Sequence, residues 1–385
     1  MSSYLYNWNY PTPVRFGPGT IAELPDACAE LGIRRPLLIT DAGLADLPIT
    51  RNAASLVPGT RVYAGVRGNP VGADVDGGIA ALLQGDHDGV IAFGGGSALD
   101  VAKTVALAAR QGRPIWDLED VGDNWKRVDV DQLLPVVAVP TTSGTGSEVG
   151  RCSVIVNVDQ GRKVVLFHAR MLPERVICDP ALTLGLPAGL TAGVGMDAFA
   201  HNLEAYLAPG FHPMADGIAI EGIRLVHRSL RTAVADGANL DARCEMMAAS
   251  LMGATSFQKG LGAIHSLSHP IGVAYDAHHG TCNAVVMPYV LHFNRSATED
   301  RIVRLARYLD LPDPTFEGFV AWTIELRAEL GIPHTTAGLG MVEVDIAKFA
   351  PYAASDPTAA TNPIPLDEDN LAGLYRQCLH GELPA

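Results

Sequence analysis

Residues 89–100 read Gly-Val-Ile-Ala-Phe-Gly-Gly-Gly-Ser-Ala-Leu-Asp. A short apolar run, GVIAF over 89–93, ends on three glycines and passes into a helical pattern over 98–109. A brief apolar run bounded by turn signals has the character of a buried parallel strand. Glycines between strand and helix let the backbone approach a ligand closely. The helix start then offers unpaired N–H groups and a partial positive charge to a phosphate. Ser97 is suited to N-cap that helix. The loop is neither G-x-G-x-x-G nor a Walker loop ending in G-K-[ST]. Phosphate binding and a turn that merely needs positive φ therefore both stand open here.

Outward from this stretch the texture repeats. Apolar runs at 36–40 (PLLIT), 61–64 and 134–139 (LPVVAV) read as further strands, with a helical pattern at 75–83. Such alternation argues for an α/β sheet with helices on both faces. After Pro187 long helical patterns take over, at 190–206, 214–235, 240–255, 261–271, 298–309 and 315–330. The expected organisation is an α/β domain over 1–184 and an all-helical domain over 185–385, without internal repeats.

The chain has 385 residues, 48% of them apolar and 18% charged, which excludes disorder and fits about two domains. Its net charge of −14 makes nucleic acid and anionic membranes poor partners. The six cysteines form no C-x-x-C pair and are expected to be reduced and mostly buried. The N-terminus lacks the features of a signal peptide, and the longest uncharged stretch, 181–196, is broken by Pro187. A soluble cytoplasmic protein is expected.

A second loop, 140–148 (PTTSGTGSE), follows the 134–139 strand and carries five hydroxyls. In open α/β sheets ligands lie beyond the carboxyl ends of strands, so two such loops make a nucleotide site more credible than either alone. Asp41 closes the 36–40 run. An acid there can accept from a ribose 2′-hydroxyl and repel a 2′-phosphate, favouring NAD over NADP; a helix N-cap is the competing reading. In the second half, Asp197 and His201 share one helical face, as do His265 and His269. His278 and His279 follow closely. One carboxylate and two or three imidazoles suit a divalent transition metal, although buried histidines and helix-face ion pairs also occur without one.

Four of these motifs, in this order, resemble the iron-dependent (group III) alcohol dehydrogenases. They are 94–100 (GGGSALD), 140–148 (PTTSGTGSE), 195–201 (GMDAFAH) and 265–270 (HSLSHP) with His279-Gly280. The likeness runs from Arg15-Phe16-Gly17 to Thr361-Asn362-Pro363. It implies a Rossmann-like parallel-sheet domain and a helical domain, as in dehydroquinate synthase-like architectures, with the site in the cleft. It implies that Asp197, His201, His265 and His279 hold one Fe²⁺, or Zn²⁺ in some members. His269 would lie in the proton path. Gly95, Gly96 and Ser97 would contact the NAD pyrophosphate, with Thr141, Thr142, Thr145, Asp100 and Lys163 as further cofactor contacts. Asp41 matches the position linked to NAD. His279 is chosen over His278 because the family's ligand immediately precedes the glycine. A homodimer or larger homo-oligomer is implied as well.

The resemblance implies a site that interconverts a primary alcohol and its aldehyde. Arg151 and Lys259 sit in segments that line the family's substrate pocket, and a buried cation needs an anion. Stretches 32–38, 257–262 and 278–281 look most like 4-hydroxybutyrate dehydrogenases, so a short ω-hydroxy acid is expected. A general primary-alcohol or diol dehydrogenase, and a metal- and NAD-dependent lyase or cyclase, are the alternatives. Both cations could instead pair with acids of the chain itself.

Overall fold

The computed structural model describes residue 10 and residues 12–383. The N-terminal segment read above for a leader lies largely outside them. The chain forms two compact units. One comprises 10–142 and 146–185; the other includes 143–145 and 186–383 among the described residues.

The first unit is built on six parallel strands: β1 (Val14–Phe16), β2 (Pro36–Asp41), β3 (Arg61–Val66), β4 (Gly89–Gly94), β5 (Val136–Pro140) and, after two intervening strands, β8 (Arg175–Cys178). Their order across the sheet is β1-β8-β5-β4-β2-β3, every neighbouring pair parallel. The central strands β4 and β5 are buried throughout, which is why they read as unbroken Val/Ile/Ala runs. Helices α1 (Leu24–Glu30), α2 (Ala42–Ala45), α3 (Pro48–Leu56), α4 (Gly72–Gln84) and α5 (Gly96–Ala108) connect these strands. The chain winds from β2 outward to β3, then returns to place β4 on the other side of β2. That reversal is a topological switch point, where α/β sheets bind ligands.

The expected strand at 134–139 begins two residues later, at Val136. Four strands were not anticipated: β1, β8 and the antiparallel ribbon of β6 (Cys152–Asn157) and β7 (Arg162–Phe167). The ribbon alternates buried and half-buried residues along part of its length rather than forming one apolar run.

The second unit is helical: α6 (Ala188–Leu207), α7 (Pro213–Ala235), α8 (Leu240–Ser256), α9 (Ala263–Tyr275), α10 (His279–Phe293), α11 (Arg295–Tyr308), α12 (Phe316–Glu329), α13 (Ile346–Ser355) and α14 (Glu368–His380). From Met196 to Leu207, α6 is buried around its whole circumference, as a central helix must be. Its apolar residues Met196, Phe199 and Leu203 share one core with Ile264, Leu267, Val286, Tyr289 and Phe319. Helix α9 starts at Ala263 rather than 261 because Gly260 and Gly262 adopt non-helical backbone angles.

No disulfide joins the six cysteines, and Cys28, Cys178, Cys282 and Cys378 are buried. Among the described residues no helix is long and apolar enough to cross a membrane.

Candidate active site

In the first unit, three loops leave the carboxyl ends of adjacent strands. β2 ends at Asp41, β4 at Gly94 and β5 at Pro140, and β4 pairs with both neighbours. The Thr141 N–H donates to the Gly94 carbonyl at 2.9 Å, tying the glycine loop to the threonine loop. Gly94 takes φ +144°, and a Cβ there would meet the Ala98 Cβ at 2.8 Å. The positive-φ requirement therefore falls on Gly94. Gly95 is the N-cap of α5, with its first helical residue at Gly96.

Two expectations need correction here. Ser97 does not cap α5, because the helix begins one residue before it; its hydroxyl donates to the Gly68 carbonyl at 2.5 Å. Asp100 is buried and faces inward: its two oxygens accept from the Ser147 hydroxyl at 2.5 Å and the Val154 N–H at 2.8 Å. Its visible work is to fasten the threonine loop and β6 to α5. Asp41 does serve as an N-cap, accepting from the Leu44 N–H at 3.0 Å. Thr141 is buried, Thr142 is half-buried, and Thr145 belongs to the three-residue stretch that packs with the helical unit. Lys163 lies on β7, paired in register with Val156. Arg151 precedes β6, and its guanidinium lies over the Phe167 ring at 5.6 Å.

In the second unit, α6, α9 and α10 bring four side chains together. Asp197 Oδ1 lies 3.6 Å from His279 Nε2, 3.9 Å from His265 Nε2 and 3.9 Å from His201 Nε2. The tightest group is Asp197, His265 and His279, whose donor atoms all fall within 4.8 Å of one another. His279, not His278, makes this approach; His278 is exposed. The approach depends on Gly280. A Cβ on Gly280 would meet the Gly193 carbonyl oxygen at 2.0 Å and the Asp197 Cβ at 2.8 Å, so α6 and α10 touch backbone to backbone there.

The donor chemistry fits a divalent cation. Four ligands at roughly 2.1 Å around one ion stand about 3.4 Å apart, and the distances from Asp197 Oδ1 to the three histidine nitrogens, 3.6, 3.9 and 3.9 Å, are close to that spacing. His201 and His265 rings stack at 4.7 Å. Burial pushes the His201 imidazole down to about 4, against the pull of Asp197, which keeps the ring neutral as a ligand must be. Burial also disfavours a charged His265, but Glu204 and Asp197 outweigh it and push that pKa up. The amide of Asn283 stands among the donors. Its Nδ2 donates to Asp197 Oδ1 at 2.9 Å and lies 3.2 Å from His279 Nε2 and 3.4 Å from His265 Nε2. A polar N–H drawn in among these acceptors marks a place that favours positive charge.

His269 stacks on His279 at 5.3 Å, and its Nδ1 bonds Asp356 Oδ2 at 2.6 Å. Burial opposes ionisation of Asp356, but His269 and Thr358 outweigh it and hold the carboxyl below its ordinary value. Asp356, Glu204 and Asn283 were missed by sequence reasoning. Asn283 could have been found at i+4 from His279, and Glu204 at i+3 from His201; Asp356 carries no comparable signal.

Lys259 is a further correction. Its ammonium is fully buried, donates to Asp216 Oδ1 at 2.6 Å and to the Tyr206 carbonyl at 3.2 Å, and so already has its anion. Arg301 shares that carboxylate at 2.9 Å.

Residues 11–180 match the family model for iron-containing alcohol dehydrogenases, and residues 191–379 match that family's C-terminal model. The chain belongs to the iron-containing alcohol dehydrogenase family. It is 41% identical over 382 residues to a 4-hydroxybutyrate dehydrogenase of Cupriavidus necator, covering 96% of this chain and 98% of that one. Among solved structures, a 1,3-propanediol oxidoreductase superposes with a TM-score of 0.92 at 33% identity, covering 97% of this chain and all of that one. A sulfoacetaldehyde reductase from Bifidobacterium kashiwanohense, solved in complex with NAD⁺, superposes with a TM-score of 0.89 at 26% identity over 99% of this chain and all of that one. This member of the iron-containing alcohol dehydrogenases is an oxidoreductase acting on small-molecule alcohols or aldehydes.

Proposed function

We propose that this dehydrogenase interconverts a short ω-hydroxy acid, 4-hydroxybutyrate or a near analogue, and its semialdehyde, using NAD and Fe²⁺, with Zn²⁺ able to replace the iron. The observation that carries the substrate class is Arg151. Its guanidinium lies against Phe167 and forms no ion pair among the described residues, so its charge is available to a carboxylate. The similarity to the Cupriavidus necator enzyme supports the same reading.

Asp197, His201, His265 and His279 would hold the ion. When bound, the ion would draw electron density from the substrate oxygen and lower the alcohol's pKa, and the nicotinamide would take up the hydride. Asp356 holds His269 through Nδ1, which leaves Nε2 as the atom that would exchange a proton with the alcohol. The N-terminus of α5 with Gly95, Gly96 and Ser97, and the hydroxyls of Thr141, Thr142 and Thr145, would receive the pyrophosphate side of the cofactor. Asp41 would accept from the ribose, and Lys163 would be a further cofactor contact. A cytoplasmic homodimer completes the proposal.

The burial of Lys259 against Asp216 favours a second reading, a general primary-alcohol or diol dehydrogenase, because it removes one of the two cations expected to grip a carboxylate. Initial rates with NAD and Fe²⁺-reconstituted protein separate the two. A kcat/KM advantage of about tenfold, roughly 1.4 kcal/mol, for 4-hydroxybutyrate over 1-butanol and 1,3-propanediol supports the hydroxy acid. Equal or faster turnover of the neutral alcohols refutes it, and absence of net NADH formation with any alcohol would point to a lyase or cyclase.

A further inference from the structure

Thr361-Asn362-Pro363 and Glu204 have no role in the chemistry above, yet both reach the start of α9, two residues before His265. Gly262 precedes that helix and has no side chain to cap it. The Ala263 N–H donates instead to Asn362 Oδ1 at 3.0 Å, and the Ile264 N–H to Glu204 Oε1 at 2.7 Å. The Thr361 hydroxyl donates to the Leu261 carbonyl at 2.7 Å. The second oxygen of Glu204 accepts from His265 Nδ1 at 2.5 Å. Asn362 is itself fixed: its Nδ2 donates to Asn294 Oδ1 at 2.8 Å and to the Ile364 carbonyl at 2.7 Å, and Asn294 Nδ2 donates back at 3.0 Å. The cavity lined by Glu204, Gly262, Asn294 and Asn362 is about 10 Å³, room for a single water at most.

We propose that Glu204 and Asn362 are positioning residues that together form a borrowed N-cap for α9 and set the place and tautomer of His265. This rests on the metal-dependent reading above. An ionised carboxylate only accepts hydrogen bonds, so it holds the His265 proton on Nδ1 and leaves the Nε2 lone pair facing Asp197. An amide at position 204 has one donor end. Either the Ile264 N–H then loses its acceptor, or the amide faces Nδ1 as a donor and drives the proton onto Nε2, the atom that would bind the ion.

The test compares wild type, Glu204→Gln and Asn362→Ala, each loaded with Zn²⁺. Bound metal is measured by elemental analysis after dialysis against graded chelator, and the His265 Nδ1 proton is observed by NMR of ¹⁵N-histidine-labelled protein. The expected result is a ten- to hundredfold weaker hold on Zn²⁺ in both variants, with circular dichroism unchanged; in Glu204→Gln the hydrogen-bonded Nδ1 resonance is lost where the amide turns its donor to Nδ1 and kept where the Ile264 N–H loses its acceptor. Zn²⁺ retention within twofold of wild type in Glu204→Gln overturns the proposal. Should that variant not fold, the wild-type spectrum decides: a His265 proton on Nε2 overturns it, and one on Nδ1 supports it. Wild type that holds no metal would overturn the metal-dependent reading itself.

Discussion

Lys103 is buried in the interior of α5 and touches no candidate ligand, yet its removal should be felt across the threonine loop. Its Nζ donates to the carbonyls of Ser147 at 3.0 Å, Gly150 at 3.4 Å and Cys152, and stands 3.5 Å from Asp100 Oδ1. Lys103→Met keeps most of the volume and deletes the charge. Leaving two well-bonded carbonyls without a donor costs about 1–3 kcal/mol each. Removing one member of a buried ion pair costs about 3–5 kcal/mol. The two routes overlap near 4 kcal/mol, whereas a lysine that merely filled space would cost under about 1.5 kcal/mol when replaced by methionine. Hydrogen exchange resolved to peptides over 147–157 is the suitable assay, because it reads local opening in a two-unit chain where one melting temperature would not. The Val154 amide, which donates to Asp100 Oδ2, should lose about three decades of protection. Asp100→Asn added to Lys103→Met should cost less than the sum of the single changes. Protection within tenfold of wild type would refute the assignment of Lys103 as the fastener of this loop.

Glu148 is fully buried, and burial pushes its carboxyl up to about 7, with Lys103 pulling weakly the other way. The folded state then holds this proton more tightly than the unfolded chain, so stability falls as pH rises from about 4.5 to 7, by about 3 kcal/mol in all. Glu148→Gln should flatten that slope and melt higher than wild type at pH 8 in calorimetry; an unchanged slope would count against it. Asp41→Asn keeps an oxygen to cap α2 but loses the charge, so kcat/KM ratios should move toward NADP without loss of stability. If only Asp41→Gly shifts the ratio, the space rather than the charge is what matters. Asp216→Asn strands the buried Lys259 ammonium beside Arg301 and should cost about 3 kcal/mol in urea unfolding, most of it recovered by adding Lys259→Met. That double variant should leave the ratio of KM for 4-hydroxybutyrate to KM for 1-butanol unchanged; a selective rise for the acid would return Lys259 to the substrate.

The sheet was legible where burial is two-sided. β2, β4 and β5 are continuous apolar runs, and their glycine and threonine loops carried the nucleotide signal with them. The β6–β7 ribbon was not, since residues such as Arg162 and Lys163 break the apolar run. Helix α10 escaped because His278-His279-Gly280 reads as a loop and Pro288 interrupts the pattern behind it. The metal donors were visible because i, i+4 spacing is a local property of one helix, as with Asp197 and His201. What orients them is not local: Asp356 lies 87 residues from His269, and Asn362 lies 99 residues from Ala263. No periodicity couples such positions. Lys259 misled for the same reason, its partner Asp216 being 43 residues away on another helix.

The glycine contact between α6 and α10 has a consequence in genetic terms. A Cβ on Gly193 would meet the His278 ring at 2.6 Å, and one on Gly280 would strike the Gly193 carbonyl. Glycine is the one residue without a Cβ, so every missense change at the Gly280 codon adds an atom where none fits. Each such change pushes Asp197 and His279 apart from a place where neither is itself altered. The mutational target for losing this centre is therefore wider than its ligands. A sequence that keeps all four donors but carries alanine at position 280 should be read as a damaged enzyme, not an intact one.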